Sequence, residues 1–345
     1  MQGAILAIFG KHHPQLDGLR AFAIGGVFYS HFWEDGSMFG HAGVRLFFVL
    51  SGYLITLMLV QYLDARDAGR APPLWHFYAR RALRLWPAYI LILGIATLLD
   101  WQDIRSVFWW HFLYGSNFLF AYTNDWQPWA TAGWWSLSVE EQFYLIWPPV
   151  LLMTPQRFRV MAAVAFCALG IGLRLMLDPE TVAFTTLPFS SFDALAGGAL
   201  LAMADHRRKL SHWFPMVVPL ALLGILFSWQ FSSWLIVHID ETLCVLLFAG
   251  VVAFARQGYR GPAQWILGNP ILRYLGRISY GMYLYHLFVM AFLFRDAARY
   301  SVMFQSRGWA LMLFGTVITV ALASLSWYLL EAPINRLKQR FPFPQ

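Results

Sequence analysis

Long apolar runs separated by short polar loops fill this chain from one end to the other. A helix needs roughly 17–25 mostly apolar residues to cross a hydrocarbon core. By this criterion we predict about ten membrane spans, near residues 17–33, 43–63, 86–100, 135–153, 158–177, 190–204, 213–230, 233–255, 278–295 and 308–330. Hydrophobic residues make up 59% of the 345 positions and charged residues only 12%. These features predict an all-α integral membrane protein, with residues 1–345 forming a single membrane-embedded domain.

The positions of the basic residues predict the orientation of the chain. Cytoplasmic loops of membrane proteins are enriched in Lys and Arg. With ten spans and a cytoplasmic N-terminus, the outer loops receive only Arg105, Arg295, Arg299 and Arg307. Residues 106–122 are also apolar, but an eleventh span there would place Arg157 and Arg159 outside. We therefore expect 106–122 to form a re-entrant or interfacial outer helix, with both termini short and cytoplasmic. The net charge of +7 follows from these loops, so no nucleic-acid partner is expected.

Two ionisable residues lie inside the first predicted span, Arg20 and His31. Eleven residues of α-helix rise about 16 Å and turn through three full circles plus roughly 20°, so the two side chains share one face. Charged groups inside a membrane are costly and usually functional. The alternative for Arg20 is an interfacial anchor, and the alternative for His31 is a hydrogen-bonded interfacial histidine.

Two adjacent carboxylates, Glu140 and Glu141, lie near the predicted outer end of the fourth span. Neighbouring residues of a helix point about 100° apart, so at most one of them faces a given site. One of the pair either neutralises Arg45, at the outer end of the second span, or orients a catalytic histidine as carboxylates do in catalytic triads. The sequence leaves both alternatives open.

Arg81 and Arg84 are three residues apart, so they are neighbours on a helix. They serve either as ordinary positive-inside charge or as a phosphate clamp, because a guanidinium group binds phosphate oxygens through two hydrogen bonds. Four further ionisable residues near outer span ends are expected to be solvated, although the first of them suits a cavity: Asp193, His238, Asp240 and Glu241. His286 is expected to form a hydrogen bond between helices. Cys167 and Cys244 lie in apolar runs and predict neither a disulfide nor a metal site.

Six strings occur in a fixed order from about residue 14 to 338: LDGLRAFAIGGVFYSHFW, GVRLFFVLSGYLIT, YARRALRLWPAY, WSLSVEEQFYLIWP, ISYGMYLYHL and SWYLLEAPINRL. In this respect the chain resembles the membrane-bound acyltransferase family 3, the family of bacterial surface-sugar O-acetyltransferases. The resemblance implies a catalytic His31 paired with Arg20, an Arg81–Arg84 motif, and an acidic stretch that contains Glu140 and Glu141. Arg45 departs from the pattern, since many relatives have an acidic residue there.

The resemblance implies transfer of an acyl group, acetyl in the first instance, from cytoplasmic acyl-CoA to a hydroxyl of an extracytoplasmic glycan or glycolipid. In this hypothesis Arg20, Arg81 and Arg84 bind acyl-CoA, which is a substrate and not a resident cofactor. His31 and the glutamates are catalytic, with Arg45 and Asp193 as possible support, and no metal takes part. The protein is then expected in the bacterial cytoplasmic (inner) membrane. The alternative is a proton-coupled transporter or exporter of a lipid-linked glycan, and transfer through an acyl-histidine stays open beside direct transfer.

Overall fold

The computed structural model describes residues 13–207, 214–228, 234–295 and 302–343. Helices account for 84% of the structure, and these ranges contain no strand. The α-helices of the described ranges are α1 Pro14–Phe28, α2 Met38–Asp67, α3 Trp75–Leu98, α4 Phe108–Phe112, α5 Ser116–Thr123, α6 Trp134–Met153, α7 Arg159–Arg174, α8 Val182–Thr186, α9 Phe192–His206, α10 Phe214–Ser228, α11 Trp234–Gln257, α12 Pro262–Leu267, α13 Pro270–Arg295, α14 Trp309–Ser326 and α15 Ala332–Arg336. Both chain ends, which are predicted to be cytoplasmic, lie outside the described residues.

Every predicted span contains a helix, and these ten helices are 15 to 30 residues long. Within the described ranges, five helical segments are both long and apolar enough to cross a membrane: Met38–Asp67, Trp75–Leu98, Gln156–Arg174, Val237–Gln257 and Trp309–Arg340. The all-helical membrane fold is therefore confirmed. The number of about ten crossings stays a prediction.

Two predicted boundaries differ from the structure. The third span was expected near 86–100, but α3 begins at Trp75, so Arg81 and Arg84 lie within the helix and not in a segment before it. The segment 106–122 is divided into α4 and α5, of five and eight residues. Eight residues of α-helix rise only about 12 Å, less than half of a hydrocarbon core, so neither piece crosses a membrane.

Helix α2 lies at the centre of the described bundle and packs against α1, α9 and α11, while α13 packs against α1 and α14. The contact between α2 and α9 depends on two glycines. A Cβ atom on Gly52 would overlap the carbonyl oxygen of Leu195, and one on Gly198 would overlap that of Val49. Small residues of this kind let helix backbones approach closely in membrane bundles.

The chain leaves α1 through a π turn, Tyr29–Trp33, in which the amide of Glu34 donates to the carbonyl of Tyr29 at 3.0 Å. A second π turn, Trp327–Glu331, follows α14. Such wide turns are rare and frequently occur at functional sites. The first π turn carries His31, so the local backbone departs from the regular α-helix on which the shared face of Arg20 and His31 was predicted.

Candidate active site

A cavity opens between five helices, α1, α2, α3, α6 and α13, and encloses about 710 Å³ of unfilled space, part of it open to solvent. Its walls combine apolar, aromatic and ionisable side chains. Four of the predicted site residues line it, namely Arg20, Arg81, Arg84 and Glu140. The other predicted site residues, Glu141, His31, Arg45 and Asp193, are not among the residues that line it.

The three arginines reach the cavity from two helices, Arg20 from α1 and the other two from α3. The Arg20 guanidinium contacts Asp17 at 3.2 Å, and its side chain is 25% exposed. The guanidinium of Arg81 lies 5.4 Å from the ring centre of Tyr144, and that of Arg84 lies 5.7 Å from the ring centre of Trp327. Arginine stacks on aromatic rings while its N–H groups stay directed outward, and so remains able to bind an anion.

Glu140 is the acidic residue of this cavity. Its Oε1 accepts from the hydroxyl of Ser51 at 2.8 Å, and its Oε2 accepts from that of Tyr144 at 3.2 Å. The neighbouring Glu141 does not line the cavity, and its buried Oε1 has no hydrogen-bond partner among the described residues. The two carboxylates thus diverge, as the helix geometry predicted, and Glu140 is the one that shares the cavity with the arginines. Its partner Ser51 is 13 residues into α2, a rise of about 20 Å from the start of that helix.

His31 contacts a second histidine. Its Nδ1 lies 3.1 Å from Nε2 of His286, which projects from α13. The predicted helix–helix hydrogen bond of His286 is therefore present. The backbone around His31 is held by Arg307, whose Nε donates to the His31 carbonyl at 3.0 Å and whose Nη2 contacts Asp35 at 3.0 Å.

Helix α13 joins the histidine pair to the cavity. Ser279, Tyr280 and Tyr283 line the cavity wall, and His286 is one turn beyond Tyr283. The hydroxyl of Tyr283 contacts that of Ser136 at 2.6 Å and donates to the carbonyl of Gly133 at 3.0 Å. Ser279, Tyr280 and Tyr283 are not among the predicted site residues. Their spacing in ISYGMYLYHL, three and four residues apart, places them on one helix face and is the signal that identifies them.

The predicted environments of Arg45 and Asp193 were wrong. Arg45 does not pair with Glu140 or Glu141; its Nη2 contacts Glu241 at 2.5 Å and its Nη1 lies 3.6 Å from Asp193. Asp193, His238 and Glu241 were expected to be solvated, but they are only 2%, 3% and 6% exposed. Charged groups so far from water need partners of opposite charge, and the side chains supply them to one another.

The cluster is completed by Arg174, whose Nη1 contacts Oδ2 of Asp193 at 2.6 Å and whose Nη2 donates to Thr242 at 2.8 Å. His41 adds a contact of 2.7 Å to Glu241. These residues come from α2, α7, α9 and α11. We call Arg45, Arg174, Asp193 and Glu241 the buried ion cluster; it fastens four helices together and lies apart from the cavity.

The protein is thus an all-helical membrane protein with three guanidinium groups around an interior cavity. A family model described as an acyltransferase domain matches residues 13–328. The chain belongs to this acyltransferase family, and the resemblance recognised in the sequence is confirmed.

Several curated bacterial proteins are similar to the chain over 94% of its length. They include "Putative peptidoglycan O-acetyltransferase YrhL" of Bacillus subtilis at 30% identity, a "Putative O-acetyltransferase" of Staphylococcus aureus at 30%, and "Peptidoglycan O-acetyltransferase OatA" of Listeria monocytogenes at 29%. The matched region covers 56%, 58% and 56% of these proteins, so the chain corresponds to a little over half of their length. No solved structure matches the chain.

Proposed function

We propose that this protein is a transmembrane O-acyltransferase that moves an acetyl group from cytoplasmic acetyl-CoA to a hydroxyl of an extracytoplasmic glycan. The observation that carries the proposal is the cavity lined by Arg20, Arg81 and Arg84, which lies beside the His31–His286 pair in a chain of the acyltransferase family. The names of the relatives supply the acetyl group and point to a peptidoglycan-like acceptor.

The arginines account for recognition of the donor. Acyl-CoA carries phosphate groups, and guanidinium binds phosphate through charge-assisted, often bidentate, hydrogen bonds. Three guanidinium groups face one carboxylate in the cavity, so an anion entering between the helices is attracted. The acyl end of the molecule has to reach the histidine pair, and Arg20 and His31 are 11 residues apart, on the order of 16 Å for a regular α-helix and somewhat less with the π turn. The extended pantetheine arm of acyl-CoA is of that order of length.

His31 serves as the base in this proposal. Its imidazole takes the proton of the acceptor hydroxyl as the oxygen attacks the thioester carbonyl carbon. The new C–O bond forms, the C–S bond breaks, and the imidazolium returns the proton to the departing thiolate of CoA. Imidazole suits both steps because it gains and releases a proton near neutral pH. Glu140 remains within the cavity as a fixed negative charge beside the arginines.

The excess of arginine in the loops assigned to the inner side supports the proposed orientation of the protein in the membrane. The donor is cytoplasmic, and the acceptor approaches from the other side of a bacterial cytoplasmic membrane. Membership of an acyltransferase family favours this function over that of a proton-coupled transporter or exporter.

The test uses the purified protein in liposomes with radiolabelled acetyl-CoA and soluble peptidoglycan fragments. We expect release of free CoA and acetylation of sugar hydroxyls. His31→Ala should lower kcat about 10²–10⁴-fold with unchanged acetyl-CoA binding, because a positioned base contributes that much. His31→Gln should fail equally, since an amide takes no proton at neutral pH. His206→Gln, on an outlying pair with Asp64, is the control and should retain full activity.

Two results would contradict the proposal. Wild-type protein that releases no CoA and labels no hydroxyl, together with unchanged surface glycans in cells lacking the gene, would exclude the reaction. A His31→Ala variant with the wild-type rate would exclude His31 as the base.

A further inference from the structure

The hydrogen bonds around His286 determine which ring nitrogens carry protons. His286 Nδ1 lies 2.6 Å from the carbonyl oxygen of Tyr283. A carbonyl oxygen only accepts, so Nδ1 of His286 must carry the hydrogen. In a neutral imidazole the other nitrogen then has a lone pair and accepts. Nε2 of His286, 3.1 Å from Nδ1 of His31, is that acceptor.

The surroundings of His286 favour the neutral ring. The side chain is fully buried. Three aromatic rings surround it, with centres 5.4 Å away for Tyr283, 5.7 Å for Phe28 and 6.4 Å for Phe32. A buried charge is stable only when it is paired and hydrogen-bonded. Within the described residues the ring contacts that aromatic shell, the Tyr283 carbonyl and His31.

It follows that His31 donates through Nδ1–H to His286. A neutral His31 then carries its lone pair on Nε2, the nitrogen on the far side of the ring. The side chain of a free histidine prefers the opposite tautomer, with its proton on Nε2. In that tautomer Nε2 has no lone pair and cannot accept a proton. The hydrogen bond to His286 therefore favours the tautomer that a base needs, much as the buried Asp does for the histidine of a catalytic triad. The His31 imidazole also has a hydrogen bond to the backbone carbonyl of Val27, one turn earlier on α1.

We propose that His286 is a positioning residue that holds His31 in the Nδ1–H tautomer, leaving Nε2 of His31 as the proton acceptor for the incoming hydroxyl. This inference rests on the proposed function, in which His31 is the base. The orienting role that one of the two glutamates was expected to have then falls to His286, since the oxygens of Glu140 bond to Ser51 and Tyr144. Tyr283 contributes twice, through its carbonyl to His286 and through its ring to the cavity wall.

The decisive experiment compares two substitutions. His286→Phe keeps a flat ring but removes the acceptor, so kcat should fall about 10²-fold or more with an unchanged KM for acetyl-CoA. His286→Gln places an amide oxygen near the former Nε2, so it should retain kcat within about tenfold, the effect of roughly one hydrogen bond. His111→Gln is the control, because His111 is equally buried but bonds to Ser116 and Thr131.

Nitrogen NMR of ¹⁵N-histidine-labelled protein in lipid reports which ring nitrogen of His31 carries the proton. A purely structural role of His286 would leave this proton position unchanged. The His31 signals, identified by their loss in His31→Gln, should show a protonated Nδ1 and a bare Nε2 in the wild type. In His286→Phe the population of the opposite tautomer, with a protonated Nε2 on His31, should rise.

A protonated Nε2 on wild-type His31, or a His286→Phe variant with the wild-type kcat, would overturn this inference. If the wild type still transferred acetyl groups, the proposed function would stand. A wild type that transfers no acetyl group, but whose His31 carries its proton on Nδ1, would overturn the proposed function and leave the His31–His286 hydrogen bond supported.

Discussion

Three arginines occupy five consecutive positions near the start of α3, and their surroundings differ. Arg80 is buried, and its guanidinium donates to the carbonyls of Lys338 and Phe341 at 3.2 and 3.1 Å. Arg81 and Arg84 line the cavity instead. Within little more than one turn of helix, one arginine thus fixes the C-terminal segment and two line the cavity.

At the scale of residues, we predict that alanine variants of Arg81 and Arg84 differ from that of Arg80 in their KM for acetyl-CoA. Arg81→Ala and Arg84→Ala should each raise the KM for acetyl-CoA about 10- to 100-fold, because a charge-assisted hydrogen bond is worth roughly 1.5–3 kcal/mol. Lysine should restore only part of the loss, since it keeps the charge without the planar fork. Steady-state kinetics in liposomes would measure both effects.

Arg80→Ala is the matched control. It should lower the thermal stability through the two lost carbonyl contacts and leave the KM for acetyl-CoA unchanged. Equal KM values for all three alanine variants and the wild type would assign Arg81 and Arg84 to orientation of the chain and not to the donor.

At the scale of helices, sequence reasoning succeeds where the signal is local. Apolar length located the helices at all ten predicted segments, and the 100° step between adjacent residues separated Glu140 from Glu141. It failed for contacts between distant helices. Nothing near Arg45 indicates a partner 196 positions later, Glu241, and hydropathy alone places Asp193 near water. The His31–His286 pair joins positions 255 apart in the chain. Such pairings depend on how the helices pack, which residue patterns along one helix do not encode.

The buried ion cluster gives the second prediction. Asp193→Asn leaves Arg45 and Arg174 with one carboxylate, Glu241, in a site removed from water. Breaking a buried pair by removing one charge typically costs 3–5 kcal/mol, so unfolding in detergent should shift to a clearly lower temperature or denaturant concentration. The cluster joins four helices, so the loss should appear as reduced stability of the bundle and not only of α9.

An exposed pair offers the comparison. Asp100 lies 3.8 Å from Arg105, and both side chains are largely in solvent, at 37% and 57% exposed. Asp100→Asn should change stability by no more than about 1 kcal/mol, as is usual for surface ion pairs. If the Asp193 and Asp100 substitutions had the same small effect, the cluster would not be what fastens α2, α7, α9 and α11.

At the scale of the whole molecule, the cavity and the histidine pair define a direction through the bundle. Arg20 is near the middle of α1 and His31 is on the π turn beyond its end, so the proposed donor-binding and acceptor-activating groups are separated along the helix axis. Transfer across a membrane requires the arginine end to face acyl-CoA and the histidine end to face the glycan. The orientation of the protein is therefore part of its proposed mechanism.

Cysteine labelling tests that orientation. In a variant with Cys167 and Cys244 replaced by alanine, a cysteine introduced by Asp125→Cys, next to Asn124, should react with a membrane-impermeant maleimide from outside intact cells. One introduced by Arg260→Cys, next to Gly261, should react only after the membrane is opened. Both positions are exposed in the structure. The expectation follows from the predicted ten spans and the excess of arginine in the loops assigned to the inner side. Labelling of both cysteines from the same side would mean that an even number of spans lies between them, and not the odd number that the ten-span prediction gives. Labelling with the two sides exchanged would place the arginine cavity away from the cytoplasmic donor, and the proposed direction of transfer would be wrong.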